Sequence, residues 1–146
     1  MKQIKVTVLL ITTAIILCAC PEKEDGHLYI TLVNKSDRMI ACQMFWSGHI
    51  TESDSLFQCR IPAVGISVDS LYDFPSGNSD RGKSWEGDFR TIPFIQFLIM
   101  DGEIYRKYML EPCDTIRKYV PILHTYRLTL ADLQRMNWTV VFPPEE

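Results

Sequence analysis

Five cysteines and three histidines are the residues of this 146-residue chain best suited to act as nucleophiles or metal ligands. Their spacing builds little. No two cysteines stand in C-x-x-C register and His27, His49 and His124 are scattered, so neither a metal site nor a cofactor is expected. G-x-S-x-G, H-E-x-x-H and a phosphate-cradling glycine loop are missing from the sequence. One catalytic arrangement is left, with Cys59 or Cys113 as thiolate nucleophile and His124 as its base. It requires an exposed cysteine within hydrogen-bond reach of that base. It defines a hydrolase-type alternative to the expectation of a non-enzymatic chain. Cys42 lies inside an apolar run and reads as a small buried hydrophobe. With Cys59 and Cys113 it makes an odd set, which leaves at least one thiol free and any disulfide pairing open.

Cys20 points to different chemistry. Lys2 and Lys5 precede an apolar run from Val6 to Leu17, interrupted by Thr7, Thr12 and Thr13. The run is shorter than the roughly 20 apolar residues needed to cross a bilayer, and it fits the apolar region of a secretory signal. It closes on Leu17, Cys18, Ala19 and Cys20, which resembles a bacterial lipobox. The resemblance implies that a diacylglyceryl group alkylates the Cys20 thiol and that residues 1–19 leave as a signal peptide, taking Cys18 with them. The new amine at Cys20 is then acylated. Several chains, each burying many methylenes at about 0.8 kcal/mol apiece, anchor a domain stably.

Pro21, Glu22, Lys23, Glu24, Asp25 and Gly26 follow, too charged and too poor in apolar surface to order themselves. Residues 20–27 therefore read as a lipidated acidic linker. Lys23, Glu24 and Asp25, close behind the cysteine, resemble the surface-export signal of Bacteroidota-type lipoproteins. That resemblance implies an outer-membrane lipoprotein at the cell surface, with the periplasmic leaflet as the alternative.

Removing residues 1–19 takes two of the 15 basic residues and none of the 18 acidic ones, leaving 127 residues with a formal charge of −5. That length suits a single domain with its own core. A modest acidic excess without a basic cluster argues against nucleic acid as a partner, and against charge-driven binding of anionic headgroups. Membrane contact is expected from the lipid alone.

Residues 28–146 read as one mainly β domain, an antiparallel sandwich with one or two short helices near its end, an α+β arrangement being the alternative. Leu28 to Val33 alternates, and Asn34 to Asp37 makes a turn. Met39 to Trp46 is apolar on both faces except at Gln43, which suits a strand in the middle of a sandwich or under a helix. Leu56 to Ile61 and Val64 to Val68 are short strand candidates limited by Pro62 and Gly65. Asp69 to Arg90 reads as a long connection, and such segments are often functional. Its Tyr72, Phe74 and Trp85 form the candidate binding loop, suited to stacking on a sugar or peptide, or else to tucking back over a core edge.

Ile92 to Met100 reads as a central strand, and Asp101-Gly102 as the turn of a hairpin returning through Glu103 to Leu110. A helix also fits there, since Ile104, Tyr105, Tyr108 and Met109 share one helical face. Asp114 is placed to cap a helical turn through Tyr119, and Ile122 to Leu128 reads as a strand. Thr129 and Asp132 form a capping-box pattern ahead of Leu130, Leu133 and Met136, and Trp138 to Phe142 closes the domain as a strand ended by Pro143 and Pro144.

The order of Phe94 to Met100, Asp101, Asp114 to Tyr119, Tyr126, Leu128, Leu130, Asp132 and Leu133, then Asn137, Trp138 and Thr139, resembles an uncharacterised family of small Bacteroidota lipoproteins. It covers the last third of the chain and implies location and fold, with no activity to carry over. Asp54-Ser55-Leu56, Asp69-Ser70-Leu71 and Asp114-Thr115-Ile116 each resemble that phylum's O-glycosylation pattern, which makes Ser55, Ser70 and Thr115 candidate acceptors. Each also suits a turn or a helix cap. Asn137-Trp138-Thr139 fits the eukaryotic N-glycosylation pattern, which a bacterial lipoprotein gives little reason to credit.

These features give an expectation of a lipid-anchored, non-enzymatic binding domain whose partner is a glycan or another envelope protein, the alternative being a structural part of an envelope assembly. We predict that metabolic labelling with a palmitate analogue marks the wild-type chain and is lost in Cys20→Ala. Label retained by that variant would remove the anchor.

Overall fold

The protein was described from a computed structural model covering residues 26–46, 58, 61–77 and 83–144. The signal-like segment, Cys20, the acidic run, Ser55, Cys59 and most of the strand expected at Leu56 to Ile61 lie outside the described residues.

Seven strands and four short helices are described: β1 (Tyr29–Asn34), β2 (Ile40–Trp46), β3 (Val64–Ile66), β4 (Leu71–Pro75), α1 (Trp85–Asp88), β5 (Ile95–Asp101), α2 (Gly102–Tyr108), α3 (Cys113–Tyr119), β6 (Ile122–Leu128), α4 (Leu130–Arg135) and β7 (Thr139–Phe142). They form two sheets. One has the order β4-β1-β7 and the other β3-β2-β5-β6. Every pairing among the described strands is antiparallel except β1 with β7, which is parallel, so the fold is the expected mainly β sandwich.

The two sheets enclose the larger core, where Ile30, Leu32, Phe74 and Val140 meet Cys42, Phe97, Ile99 and Leu128. A smaller core covers the other face of the four-stranded sheet. There Ala41, Phe45, Leu98 and Met100 pack against Ile104, Tyr105, Tyr108, Ile116 and Val120, which α2, α3 and the residue after them supply. The layer order is three-stranded sheet, four-stranded sheet, helical pair. β2 and β5 are covered on both faces, which accounts for their nearly continuous apolar sequences.

Two buried amides manage the polar exceptions. Gln43 faces the smaller core with no exposed surface; its Nε2 donates to the carbonyls of Gln58 (2.8 Å) and Ile61, and its Oε1 accepts from Gln58 N at 3.0 Å. Asn34, equally buried, donates from Nδ2 to the carbonyls of Arg38 (2.8 Å), Ile66 (3.1 Å) and Ser67 (3.1 Å), and accepts from Ser36 N and Oγ. The turn after Asn34 does not close a hairpin. It carries the chain from one sheet to the other, and the Asn34 side chain ties that crossing to the end of β3.

The hairpin expected at Asp101-Gly102 is corrected to a strand-to-helix junction. Asp101 Oδ1 accepts from Ile104 N at 2.9 Å and caps α2, while Gly102 N donates to Met39 O at 3.0 Å. A Cβ on Gly102 would stand 2.7 Å from the Ile40 carbonyl carbon, so glycine serves close backbone approach here, not a reversed turn. Ile104, Tyr105 and Tyr108 then cover β2 and β5, which a returning strand would leave open.

α3 spans the expected helical stretch but is preceded by Pro112 with no side-chain cap, so Asp114 lies in its first turn and is not the cap. The Thr129 and Asp132 capping box is present in both directions, with Asp132 N to Thr129 Oγ1 at 3.3 Å and Thr129 N to Asp132 Oδ2 at 2.9 Å. β6 runs over Ile122–Leu128 as expected, and β5 begins after Pro93, which has no N–H to pair.

Asn34→Ala is expected to cost about 2–4 kcal/mol, since it removes several hydrogen bonds across the crossing, each contributing about 0.5–1.5 kcal/mol. Urea unfolding followed by tryptophan fluorescence measures it. A loss under about 0.5 kcal/mol, the range of an ordinary surface substitution, would refute the role given to Asn34.

Candidate interaction surface

The long connection expected at Asp69 to Arg90 carries its own structure, and this corrects the binding-loop reading. Phe74 is buried in β4 with its ring centroid 5.1 Å from that of Phe97. Trp85 has no exposed surface and donates from Nε1 to Phe74 O at 3.2 Å. Both occupy the larger core, the tucked-back alternative, because a strand and a helical turn close over them. Only Tyr72 keeps a surface face, at 38 % exposure on the edge strand, its ring 4.8 Å from Phe74.

Of the candidate glycosylation sites, Ser70 ends a turn after Asp69, whose φ is 52°, and donates from Oγ to Val68 O at 3.3 Å. Thr115 lies half-buried in α3. Cys42 is buried and free, and burial pushes its thiol pKa well above the ordinary value. Cys113 is disulfide-bonded, which removes it as a nucleophile for His124. His124 itself packs edge-on against Tyr126, with ring centroids 4.4 Å apart. Among the described residues no group of three His, Cys, Asp or Glu side chains is placed to hold a metal, and no helix is long and apolar enough to cross a membrane.

Two connected surfaces remain. The first is the outer face of the three-stranded sheet. The register sets Tyr29, Thr31 and Val33 of β1 beside Pro75, Asp73 and Leu71 of β4, and Thr139 and Val141 of β7 on the other side. Tyr29 is 52 % and Leu71 59 % exposed. Thr31 Oγ1 donates to Asp73 Oδ1 at 2.6 Å and so places a carboxylate near the middle of that face.

The second is a groove of about 340 Å³ where β7 faces β6, lined by Tyr126, Met136, Thr139, Val141 and Pro144. Tyr126 Oη donates to Val141 O at 2.6 Å and bridges the two sheets there. Burial, with a further contribution from Cys42, pushes the Tyr126 pKa up to about 12. That hydroxyl is therefore a fixed donor near neutral pH and not a proton shuttle. The groove suits an apolar side chain or an extended segment lying along β7.

Sequence reasoning missed these residues. Thr139 and Val141 read only as alternate positions of a closing strand. That the strand is an edge, paired in parallel with β1, depends on a contact more than 100 positions away.

The start of the domain is also seated. A Cβ on Gly26 would stand 2.2 Å from Ser84 Cβ, so only glycine passes there. His27 donates from its backbone N to Glu86 Oε2 at 2.9 Å, pairs through Nδ1 with Glu86 Oε1 at 2.7 Å, and stacks on Trp138 with centroids 4.3 Å apart. Burial pushes the Glu86 carboxyl up, but the hydrogen bonds from His27, the Glu86 backbone and Ser84 outweigh it and hold the pKa below the ordinary value.

No protein-family model matches the chain, and neither a curated protein nor a solved structure does.

An unfolded tyrosine ionises near pH 10, whereas folded Tyr126 keeps its proton to about pH 12. Its contribution is thus complete below pH 10 and is lost as pH rises through about 12. Wild type should exceed Tyr126→Phe in stability by a constant margin up to pH 10, and that margin should shrink between pH 10 and 12. Chemical unfolding of both proteins across that range tests this, and a margin unchanged to pH 12 counts against it.

Proposed function

We propose that this chain is a lipid-anchored envelope protein whose β-sandwich is a non-enzymatic interaction domain. The observation that carries the reading is the apolar run closing on Leu17, Cys18, Ala19 and Cys20 behind Lys2 and Lys5. Cys20 bears the lipid, residues 20–27 are the tether, and residues 28–146 are the domain held at the membrane. The seating of Gly26 and His27 against Ser84, Glu86 and Trp138 supports a defined point where tether meets domain. Lys23, Glu24 and Asp25 support display at the outer surface of the outer membrane over retention on the periplasmic leaflet.

The partner, a glycan or an envelope protein, docks on the open face of the three-stranded sheet and the groove beside β7. Tyr29 and Leu71 support that placement, since more than half of each residue faces solvent from a sheet surface. The same face favours a second reading, in which the domain is a fixed component of an envelope assembly.

Photo-crosslinking in intact cells separates these readings. A photoreactive residue at Leu71 or Val141 should give a discrete protein adduct, or the domain should light specific glycans on an array, while a probe at Glu103 on the helical face gives neither. An adduct that persists in purified envelope complexes marks the assembly component. Blank arrays together with no adduct at either position would falsify the interaction-domain reading, and protection of the domain from protease on intact cells would move it to the periplasmic side.

A further inference from the structure

The helical layer brings together residues that look unremarkable in the sequence. α2 ends in Arg106 and Lys107, and α3 ends in Arg117 and Lys118. The two helices meet through Tyr108 and Tyr119, whose rings stack with centroids 5.2 Å apart and planes 15° from parallel. Lys107 Nζ lies 5.2 Å from the Tyr108 centroid and Lys118 Nζ 5.0 Å from that of Tyr119. A cation therefore flanks each ring of the stacked pair, which no composition count reveals.

Two large apolar side chains sit in the turn between the helices. Leu110 is 93 % and Met109 47 % exposed, and Tyr119, at the end of α3, is half exposed. Residues 102–119 carry these four cations against Glu103, Glu111 and Asp114, in a mature chain whose formal charge is −5. The carboxylates stand at the helix starts and in the turn, whereas the cations gather at the helix ends where the tyrosines meet. Exposed Leu and Met beside tyrosines and lysines match the chemistry of a bilayer interface. There apolar tips enter the acyl boundary, amphipathic rings sit at headgroup level and ammonium groups meet lipid phosphates.

We infer that the α2–α3 hairpin is a second membrane contact, in which Leu110 and Met109 enter the bilayer surface while Lys107 and Lys118 pair with anionic headgroups. The inference rests on the anchored reading above and adds an orientation to it. Five residues separate the lipid-bearing Cys20 from Gly26, and the six steps between them reach at most about 22 Å at 3.3–3.6 Å per residue, so the domain stays within range of the surface. The layer order then does the rest. With the helical pair against the bilayer, the four-stranded sheet lies above it, and the open face carrying Tyr29 and Leu71 points away, clear for a partner. The expectation that the lipid alone contacts the membrane changes accordingly, because the packing of α2 on α3 sets Lys107 and Lys118 against the stacked Tyr108 and Tyr119.

The test uses the full processed chain, lipid attached, reconstituted on vesicles of brominated phosphatidylglycerol or brominated phosphatidylcholine. Leu110→Trp reports the hairpin and Tyr29→Trp the opposite face, with the parent chain as background; both positions are exposed, so neither substitution enters a core. Fluorescence of the indole introduced at position 110 should be quenched on the anionic vesicles and recover on the zwitterionic ones. It should also recover at about 1 M salt, where the screening length falls to about 3 Å, and when Lys107→Glu and Lys118→Glu are added. The indole introduced at position 29 should be unquenched throughout. Equal quenching at both positions, quenching at position 29 instead, or none at position 110 overturns the hairpin contact. Flotation of the same vesicles reports the anchor separately: a chain that fails to float defeats the anchored reading and this inference with it, while one that floats unquenched defeats the hairpin contact alone.

Discussion

Burying β2 and β5 on both faces constrains everything around them. A strand that shows apolar side chains to both sides has to be covered twice, and burying each large side chain contributes roughly 1.5–3 kcal/mol only if the cover is present. One cover is the three-stranded sheet, and the other is the α2–α3 pair. The same constraint makes polar atoms in these strands costly. Gln43 is tolerated because its buried amide is hydrogen-bonded in both directions to the backbone of residues 58 and 61.

The three-stranded sheet hangs on one crossing and one late pairing. Asn34 holds the chain where it passes from β1 to β2, and β7 returns from the end of the chain to lie parallel to β1. To enter β7 the backbone turns through Asn137 and Trp138 with φ of 49° and 59°, a conformation that costs a bulky residue energy. Burial of the Trp138 ring, stacked under His27, offsets it. The turn that starts the last strand and the segment that would lead to the anchor are therefore joined through one side chain.

The parts that were readable before folding are those whose cause is local. The capping box of α4 lies within three residues, β6 is bounded by Pro121 and Thr129, and the two-faced character of β2 and β5 is written in their composition. Asp101-Gly102 misled for a physical reason. An Asp followed by Gly serves both a tight hairpin and a helix cap, and the choice was made by Met39 and Ile40, whose backbone lies too close to residue 102 for any Cβ. The aromatic residues of the long connection misled similarly. Tyr72 and Phe74 lie two residues apart on the same face of β4, beside Leu32 and Ile30. What covers each position, not its place in the strand pattern, leaves Tyr72 partly exposed while Phe74 and Trp85 are buried. The state of Cys113 depends on a partner elsewhere in the chain and has no local mark.

By itself, the sequence determined the features that follow from composition and short-range order: a processing-like apolar run ending at Cys20, an acidic segment behind it, and strands and caps built from neighbouring residues. Only the tertiary structure decided what lies on which surface. The open face of Tyr29 and Leu71 and the edge position of β7 beside the groove arise from pairings between segments far apart in the chain, and the stacking of Tyr108 on Tyr119 arises from the packing of two successive helices. Side-chain exposure is a property of what covers a residue, and no local pattern contains it.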